Sequence, residues 1–352
     1  MSTDKYQFER HDVPIAEPLI NDLADFWQRI FGLGFSWCRP VLSGSERDAN
    51  RDILFLARIH GQVVASCRLT INQGDPRIAA LGEVATSTAH RGQGLGTAVC
   101  GQAADEFDGA GGQAMFLGTG NPNAARIYER LGWRFLPGSH VMARTSAGQG
   151  PQKFFAEYFG NELELPVRVE VGGPHHRIPM IPLILTPHPW LVLDANTDIR
   201  SCRYFAQGSC EGLYQRYDEL GDRAAWWAAV LQDGRVVGLS SAKLLDDGSC
   251  CVEAFAHPIA PESCVHALYR DAIEWAGRKG AEPLTTCAVG DHDKADCLRK
   301  LPAEPVQKTL SCGHAQARLT LELWRFGAHG QSFSGSSSER PLLDGMTTAD
   351  GE

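Results

Sequence analysis

The densest chemistry in the chain lies between Glu83 and Trp133, around the loop His90-Arg91-Gly92-Gln93-Gly94-Leu95-Gly96-Thr97. Three glycines at alternate positions follow a strand-like apolar run, Ala79 to Thr86. They precede a stretch in which Leu95, Val99, Ala103 and Phe107 share one helical face. Such a loop lets several backbone N–H groups converge at a helix start, which is how a chain cradles pyrophosphate. Read alone, it could equally be a Gly-rich turn between a strand and a helix. The spacing is not the Gly-x-Gly-x-x-Gly of dinucleotide folds, and no Gly-Lys-Ser/Thr follows as in a Walker loop. Beyond it, Ala114 to Leu117 reads as a strand, and Asn121-Pro122 opens a helix with Pro at a tolerated first-turn position. Ile127, Tyr128 and Leu131 line one side of that helix, and Gly132 ends it.

Taken together, Arg91, Gly92, Gly94, Gly96, Asn121, Ala124, Tyr128, Gly132 and Trp133 make a pattern that resembles the GCN5-related N-acetyltransferase (GNAT) family. The resemblance implies an α+β fold on a mixed sheet, with acetyl-CoA as cofactor. The amides of Gly92, Gln93, Gly94, Leu95, Gly96 and Thr97 would take the pyrophosphate, and Arg91 would add charge. The strand Val84, Ala85, Thr86 would pair with the pantetheine arm and polarise the thioester carbonyl. Asn121, with Ala124 beside it, would meet the pantetheine or phosphate end, and the competing role of Asn121 is as N-cap of its own helix. Tyr128 would be the acid for the departing thiolate, since a phenol with a pKa of about 10 keeps its proton at neutral pH. Glu83 is the general-base candidate, with a water chain or a merely solvated carboxylate as competitors. The expected activity is acetyl transfer to the primary amine of a small-molecule acceptor by direct attack in a ternary complex. A non-catalytic acyl-CoA sensor and a protein lysine acetyltransferase are the alternatives.

The elements that must position these residues begin with a strand near Tyr6 to His11 and an amphipathic helix over Glu17 to Phe31. In the family that helix lines the acceptor site, so Trp27 and Phe31 are candidate acceptor contacts, against a plain core role. Two apolar runs around His60-Gly61 read as a hairpin, and a strand near His140 to Arg144 closes the unit at 147. Residues 148–200 read as a connector, and the prolines at 174, 179, 182, 187 and 189 favour extended structure over helix there. Within it, His175, His176 and Arg177 form a group able to meet an anionic acceptor, such as an amino acid or a phosphate- or phosphonate-bearing amine.

Residues 201–326 echo the first unit. Asp233-Gly234-Arg235-Val236-Val237 matches His60-Gly61-Gln62-Val63-Val64, and an offset of 170 lays Glu83 on Glu253, Asn121 on Asp291 and Leu131 on Leu301. The loop chemistry is gone from the copy: Arg91 to Gly96 meets Pro261-Glu262-Ser263-Cys264-Val265-His266, and Tyr128 meets Leu298. The expectation is therefore two tandem GNAT-like domains, the second degenerate and without coenzyme. Ala317 to Trp324 alternates like a strand, and 327–352, polar and without an apolar period, reads as a disordered tail.

With 352 residues the chain suits two domains, each with its own core. A net charge of -9 and a pI near 5.7 argue against nucleic acid as a partner. No apolar run reaches membrane-spanning length and the N-terminus is no signal peptide, so a cytoplasmic location is expected. The odd count of eleven cysteines reads as reduced core thiols. Neither Cys250-Cys251 nor Cys312 with His314 has zinc-site spacing, and no metal is expected.

Overall fold

The computed structural model describes residues 5–32, 34–35, 38–137, 139–146, 148–160, 167–186, 194–199, 212–312 and 319–327. His314 and, apart from Gly327, the expected tail lie outside the described residues. The chain opens with β1 (Gln7–Asp12), α1 (Glu17–Phe31) and α2 (Cys38–Leu42). Pro18 sits in the first turn of α1 and Gly32 ends it in the left-handed region, φ 71°. The hairpin of β2 (Asn50–Ile59) and β3 (Gln62–Asn72) turns on His60 and Gly61, both at positive φ, as a two-residue turn between right-twisted strands requires. There follow β4 (Ile78–Thr86), α3 (Leu95–Gly109), β5 (Ala114–Gly118), α4 (Pro122–Arg130), β6 (Arg134–Phe135) and β7 (Val141–Thr145). The strands form one sheet in the order β1-β2-β3-β4-β5-β7-β6. β4 and β5 are parallel and pair only from Ile78 to Ala80 with Ala114 to Phe116. Beyond that point β4 continues to Thr86 with no strand paired on that side among the described residues, which leaves a gap between the two strands.

Helix α5 (Pro151–Gly160) leads into a second sheet. Its elements are β8 (Arg168–Val171), α6 (Met180–Leu185), α7 (Gly212–Asp218), β9 (Ala224–Val230), β10 (Val236–Leu244), β11 (Ser249–Ala256) and α8 (Glu262–Arg278). They continue with β12 (Glu282–Ala288), α9 (His292–Lys300), β13 (Ala303–Cys312) and β14 (Leu319–Phe326). The order β8-β9-β10-β11-β12-β14-β13 repeats that of the first sheet, including one parallel pair, β11 with β12. The duplication read from the offset is thus a duplication of topology.

Two expectations change. The second sheet begins inside the stretch taken as connector, because β8 pairs with β9 as its edge strand. The proline-rich segment also holds a short helix: Pro179 stands just before α6 and Pro182 falls in its first turn, where no intrahelical N–H is lost, and all six residues of α6 are buried.

The two sheets share packing. Phe116, Val141 and Ala143 of the first join Phe154 and Phe155 of α5 in the core that continues into the second, with Phe116 stacked on Phe155. A polar joint lies beside it. Tyr158 donates to Asp75 at 2.8 Å, Arg235 donates to the Tyr158 carbonyl, and Arg77 joins Asp75 to Asp233. The turns of the two hairpin regions touch here: a Cβ on Gly234, at φ 84°, would stand 2.2 Å from the Gly74 carbonyl oxygen. Among the described cysteines eight are free thiols, seven of them buried. No helix of the described residues is long and apolar enough to cross a membrane.

Candidate active site

The glycine loop adopts the conformation its composition requires. Gly92 and Gly94 sit at φ 74° and 81°, where a side chain is disfavoured, and a Cβ on either would meet nothing within 4 Å. Gly94 is the N-cap of α3 with no side-chain cap, so the first-turn amides have no intrahelical partner. Loop, strand and second helix converge at Gly96, whose Cβ would lie 3.4 Å from Thr86 Oγ1 and 3.8 Å from Ile127 Cδ1. Gln93 is fixed from the side by the Tyr6 hydroxyl at 2.6 Å, and Arg91 Nε donates to the Thr86 carbonyl at 3.3 Å.

The end of β4 faces the gap. Ser87 N–H donates to Val64 C=O at 2.8 Å, which makes Thr86 opposite Ala65 a non-hydrogen-bonded pair. The main-chain groups of Thr86, and of Val84 by alternation, therefore turn away from β3 toward the side that β5 has left. Asn121 caps α4, its Oδ1 accepting from Asn123 N–H at 2.9 Å and Ala124 N–H at 3.4 Å. Tyr128 is 6% exposed on the inner face of α4, with its ring 6.1 Å from that of Trp133.

Glu83 stands at a β-bulge with φ 43°, a conformation that strains a residue with a side chain. It is held through both its carboxylate and its carbonyl. Arg68 Nε donates to Glu83 Oε2 at 2.5 Å and Arg68 Nη1 to Asp52 Oδ1 at 3.1 Å; Thr70 also donates to that Asp52 oxygen. Trp27 Nε1–H donates to Ser66 Oγ at 2.9 Å, and the Ser66 hydroxyl donates to the Glu83 carbonyl at 2.8 Å. The Arg68 side chain keeps 2% of its surface exposed and that of Glu83 keeps 10%, so the carboxylate is the reachable end of the pair. Trp27 itself is fully buried, which corrects the expectation that it touches an acceptor: it fixes the bulge from behind. Phe31, 39% exposed at the end of α1 and 5.6 Å from the ring of Phe35, remains at the surface. Arg68, Asp52 and Ser66 escaped the sequence reading, although an arginine inside the apolar run from Val63 to Ile71 had to find a buried anion.

His175, His176 and Arg177 do not form one cationic group. Arg177 is buried, ion-paired with Glu46 and stacked over Tyr214. Burial, with His175 beside it, pushes the His176 imidazole down to about 3, so it stays neutral. Its Nδ1 accepts from Gly173 N–H at 3.1 Å, which puts the proton on Nε2, 3.9 Å from Glu170. That tautomer leaves Nε2 no lone pair, so the grouping of Glu170, His175 and His176 lacks the donor set a metal ion needs. Only the His175 ring is turned outward, and its carbonyl is held by Asn72 Nδ2 at 2.7 Å.

Residues 17–133 match the sequence model of the Acetyltransferase (GNAT) family. They form a GNAT acetyltransferase domain.

Among curated proteins no sequence matches the chain significantly. Of solved structures, a GCN5-related N-acetyltransferase from Kribbella flavida aligns over 79% of this chain and 63% of its own, at 16% identity and a TM-score of 0.36. The ribosomal-protein-S18-alanine N-acetyltransferase from Escherichia coli aligns over 41% of this chain and 97% of its own, at 17% identity and a TM-score of 0.32. An acetyltransferase of the GNAT family from Staphylococcus aureus Mu50 covers 39% of this chain and 99% of its own, at 15% identity and a TM-score of 0.32.

The GNAT domain is an acyltransferase domain, and the residues of its loop suit the donor that the family uses. Two left-handed glycines, an uncapped helix start and an arginine beside them are a donor set for pyrophosphate. The matching loop of the GNAT-like second unit, His257 to Pro261, has neither the glycines nor the arginine, although its helix start is likewise without a side-chain cap. Its helix α8 starts at Pro261, which has no N–H, and Glu262 places a carboxylate in the first turn.

Proposed function

We propose that the GNAT domain transfers the acetyl group of acetyl-CoA to the primary amine of a small-molecule acceptor, by direct attack within a ternary complex. The observation that carries the reading is the convergence at Gly96. An uncapped helix start, the outward-turned end of β4 and the first turns of α4 border one space. The amides of Gly92 to Thr97 hold the pyrophosphate with Arg91 beside them. Val84 and Thr86 pair with the amide-bearing arm, and Asn121 and Ala124 border it at the start of α4. Acetyl-CoA, when bound, supplies an acetyl thioester whose conversion to an amide releases a thiol.

The protein's own task is to place and move protons. Glu83, held against Arg68, attracts the acceptor's ammonium and takes its proton through water. Tyr128 Oη gives its proton to the departing sulfur. An N–H of the Val84 to Thr86 strand polarises the carbonyl as charge develops on its oxygen. Trp27, Ser66, Arg68 and Asp52 act through Glu83, keeping a strained bulge in one geometry.

The test is free-thiol release on mixing with acetyl-CoA and a panel of small amines, run against a panel of lysine peptides. Release with the amines and not with the peptides is the expected result; release with peptides alone would replace the acceptor class, and none with either would remove the activity. Tyr128→Phe should lower kcat by about 100-fold and leave KM for acetyl-CoA within about twofold. Unchanged turnover would take Tyr128 out of the mechanism.

A further inference from the structure

The second unit keeps a cleft where the first has its coenzyme gap, and its lining differs in kind. It has a volume of about 430 Å³, between the end of β11 and the starts of α8 and α9. β12 pairs with β11 only as far as Cys251 with Leu284, and among the described residues no strand pairs with the remainder of β11 on that side. His257 N–H donates to Val237 C=O at 2.7 Å, and Ala256 opposite Gly238 is therefore a non-hydrogen-bonded pair. The main-chain N–H and C=O of Ala256, and of Ala254 by alternation, face the cleft. They can receive the amides of an extended chain as a neighbouring strand would.

The cleft's charge sets what that chain carries. At the floor, Lys294 lies 2.6 Å from Glu253, and the two charges cancel. At the mouth stand Glu262, Asp291 and Asp293; Lys300 offsets one of them by pairing with Glu262. A polyphosphate is repelled there, and Pro261 offers it no amide. One wall is braced from the connector helix, since the Phe159 ring stacks on His257 at 4.2 Å between centroids.

We infer that this cleft binds a short peptide in extended conformation: apolar where it pairs with Ala254 and Ala256, and basic where it passes the acidic mouth. The volume suits about three residues and lies in the range of ligand pockets, about 300–1,000 Å³. The site is separate from the acetyl-transfer reading, and it stands whether or not the first unit turns over.

The probe is the blocked tripeptide Ac-Ala-Val-Arg-NH2, which has no amine to acetylate and so cannot report on the catalytic unit. Calorimetry on the full chain should give saturable one-to-one binding that weakens as salt rises. Ac-Ala-Val-Glu-NH2 should bind at least about tenfold more weakly, and Asp293→Lys should weaken the arginine peptide by a similar factor. Val265→Trp, which fills the cleft from α8, should abolish binding; unchanged thermal melting would show that the fold survives the substitution. The inference is overturned by absence of saturable binding, by equal affinity for the two peptides, by insensitivity to Asp293→Lys, or by binding that survives Val265→Trp in the folded chain.

Discussion

Glu83 and Glu253 occupy the same place in the two units, three residues before the last paired position of the fourth strand, and their surroundings have nothing else in common. Glu83 is set out of line by a bulge and takes its countercharge from Arg68 on the adjacent strand. β11 has no bulge at Glu253, and the residue across from it is Ser241, which brings no charge. Glu253 is instead fully buried and turned to the far side of its strand. It accepts from Thr286 N–H at 3.0 Å and from the Thr286 hydroxyl, and pairs with Lys294 from the first turn of α9. Ala124 stands at the Lys294 position in the first unit by the same offset. One carboxylate is thus kept partly reachable at a strained turn, and the other is spent tying strand to strand and helix. On the proposed mechanism, the difference separates a group held for chemistry from a group held for stability.

The sharpest way to break that contrast is to neutralise each carboxylate in turn. Glu253→Gln leaves the Lys294 ammonium buried without its partner, and removal of one member of such a pair costs about 3–5 kcal/mol. Urea denaturation should show that loss, while acetyl-CoA turnover per folded molecule stays as in the parent. Adding Lys294→Met to Glu253→Gln should recover most of the stability, because the stranded charge goes with it. Glu83→Gln should do the reverse, lowering kcat by about 10–100-fold with a smaller change in denaturation midpoint, because Arg68 keeps Asp52 as a second countercharge. Equal effects of the two substitutions on both readouts would erase the distinction.

A second contrast concerns pH. Asp194, fully buried near Glu253, is pushed up to about 6 by burial and by that neighbouring carboxylate, and its Oδ2 has no hydrogen-bond partner. A folded-state value above the unfolded one means that the folded form holds its proton longer. The penalty is absent below about pH 4, grows as pH rises toward 6 and is constant above it. Asp194→Asn keeps an oxygen for the Asn196 and Thr197 amides that Asp194 now accepts from. It should therefore leave stability at pH 4 nearly unchanged and raise it at pH 7 by up to about 3 kcal/mol, the equivalent of two pKa units. Denaturation midpoints across pH 4 to 7 measure this, and a gain independent of pH would show that the carboxyl is not titrating.

These contrasts mark where the sequence was readable. Helix α1, the hairpin at His60-Gly61 and the glycine loop are local: their periodicity, turn residues and caps lie within one stretch, and the structure places them where they were expected. Repetition carried further, since the offset that joins α4 to α9 brought out a second sheet that no single motif announces. What stayed hidden depends on contacts between distant strands. Neither Arg68 nor Glu83 has a local pattern that joins them, because the bulge that aims Glu83 exists only once β3 and β4 have paired. His176 and Arg177 looked like free cations until the fold buried one beside Trp226 and set the other against Glu46. The prolines around α6 misled for a related reason: their cost depends on position within a turn, which composition does not give.

The smallest expected effect tests the loop itself against its degenerate counterpart. Gly94→Ala meets open space, so any cost comes from the backbone: a left-handed conformation at φ 81° disfavours an L side chain by about 1–2 kcal/mol. If the loop relaxes to avoid that strain, the amides of 94 to 97 move off the pyrophosphate. KM for acetyl-CoA should then rise by about 5–30-fold, the same energy expressed in binding, with kcat changed much less. Pro261→Ala in the second unit restores an N–H at a helix start that keeps Glu262, and it should alter no kinetic constant. A rise in KM from the second substitution, or none from the first, would mean that the coenzyme is not held where the glycines are.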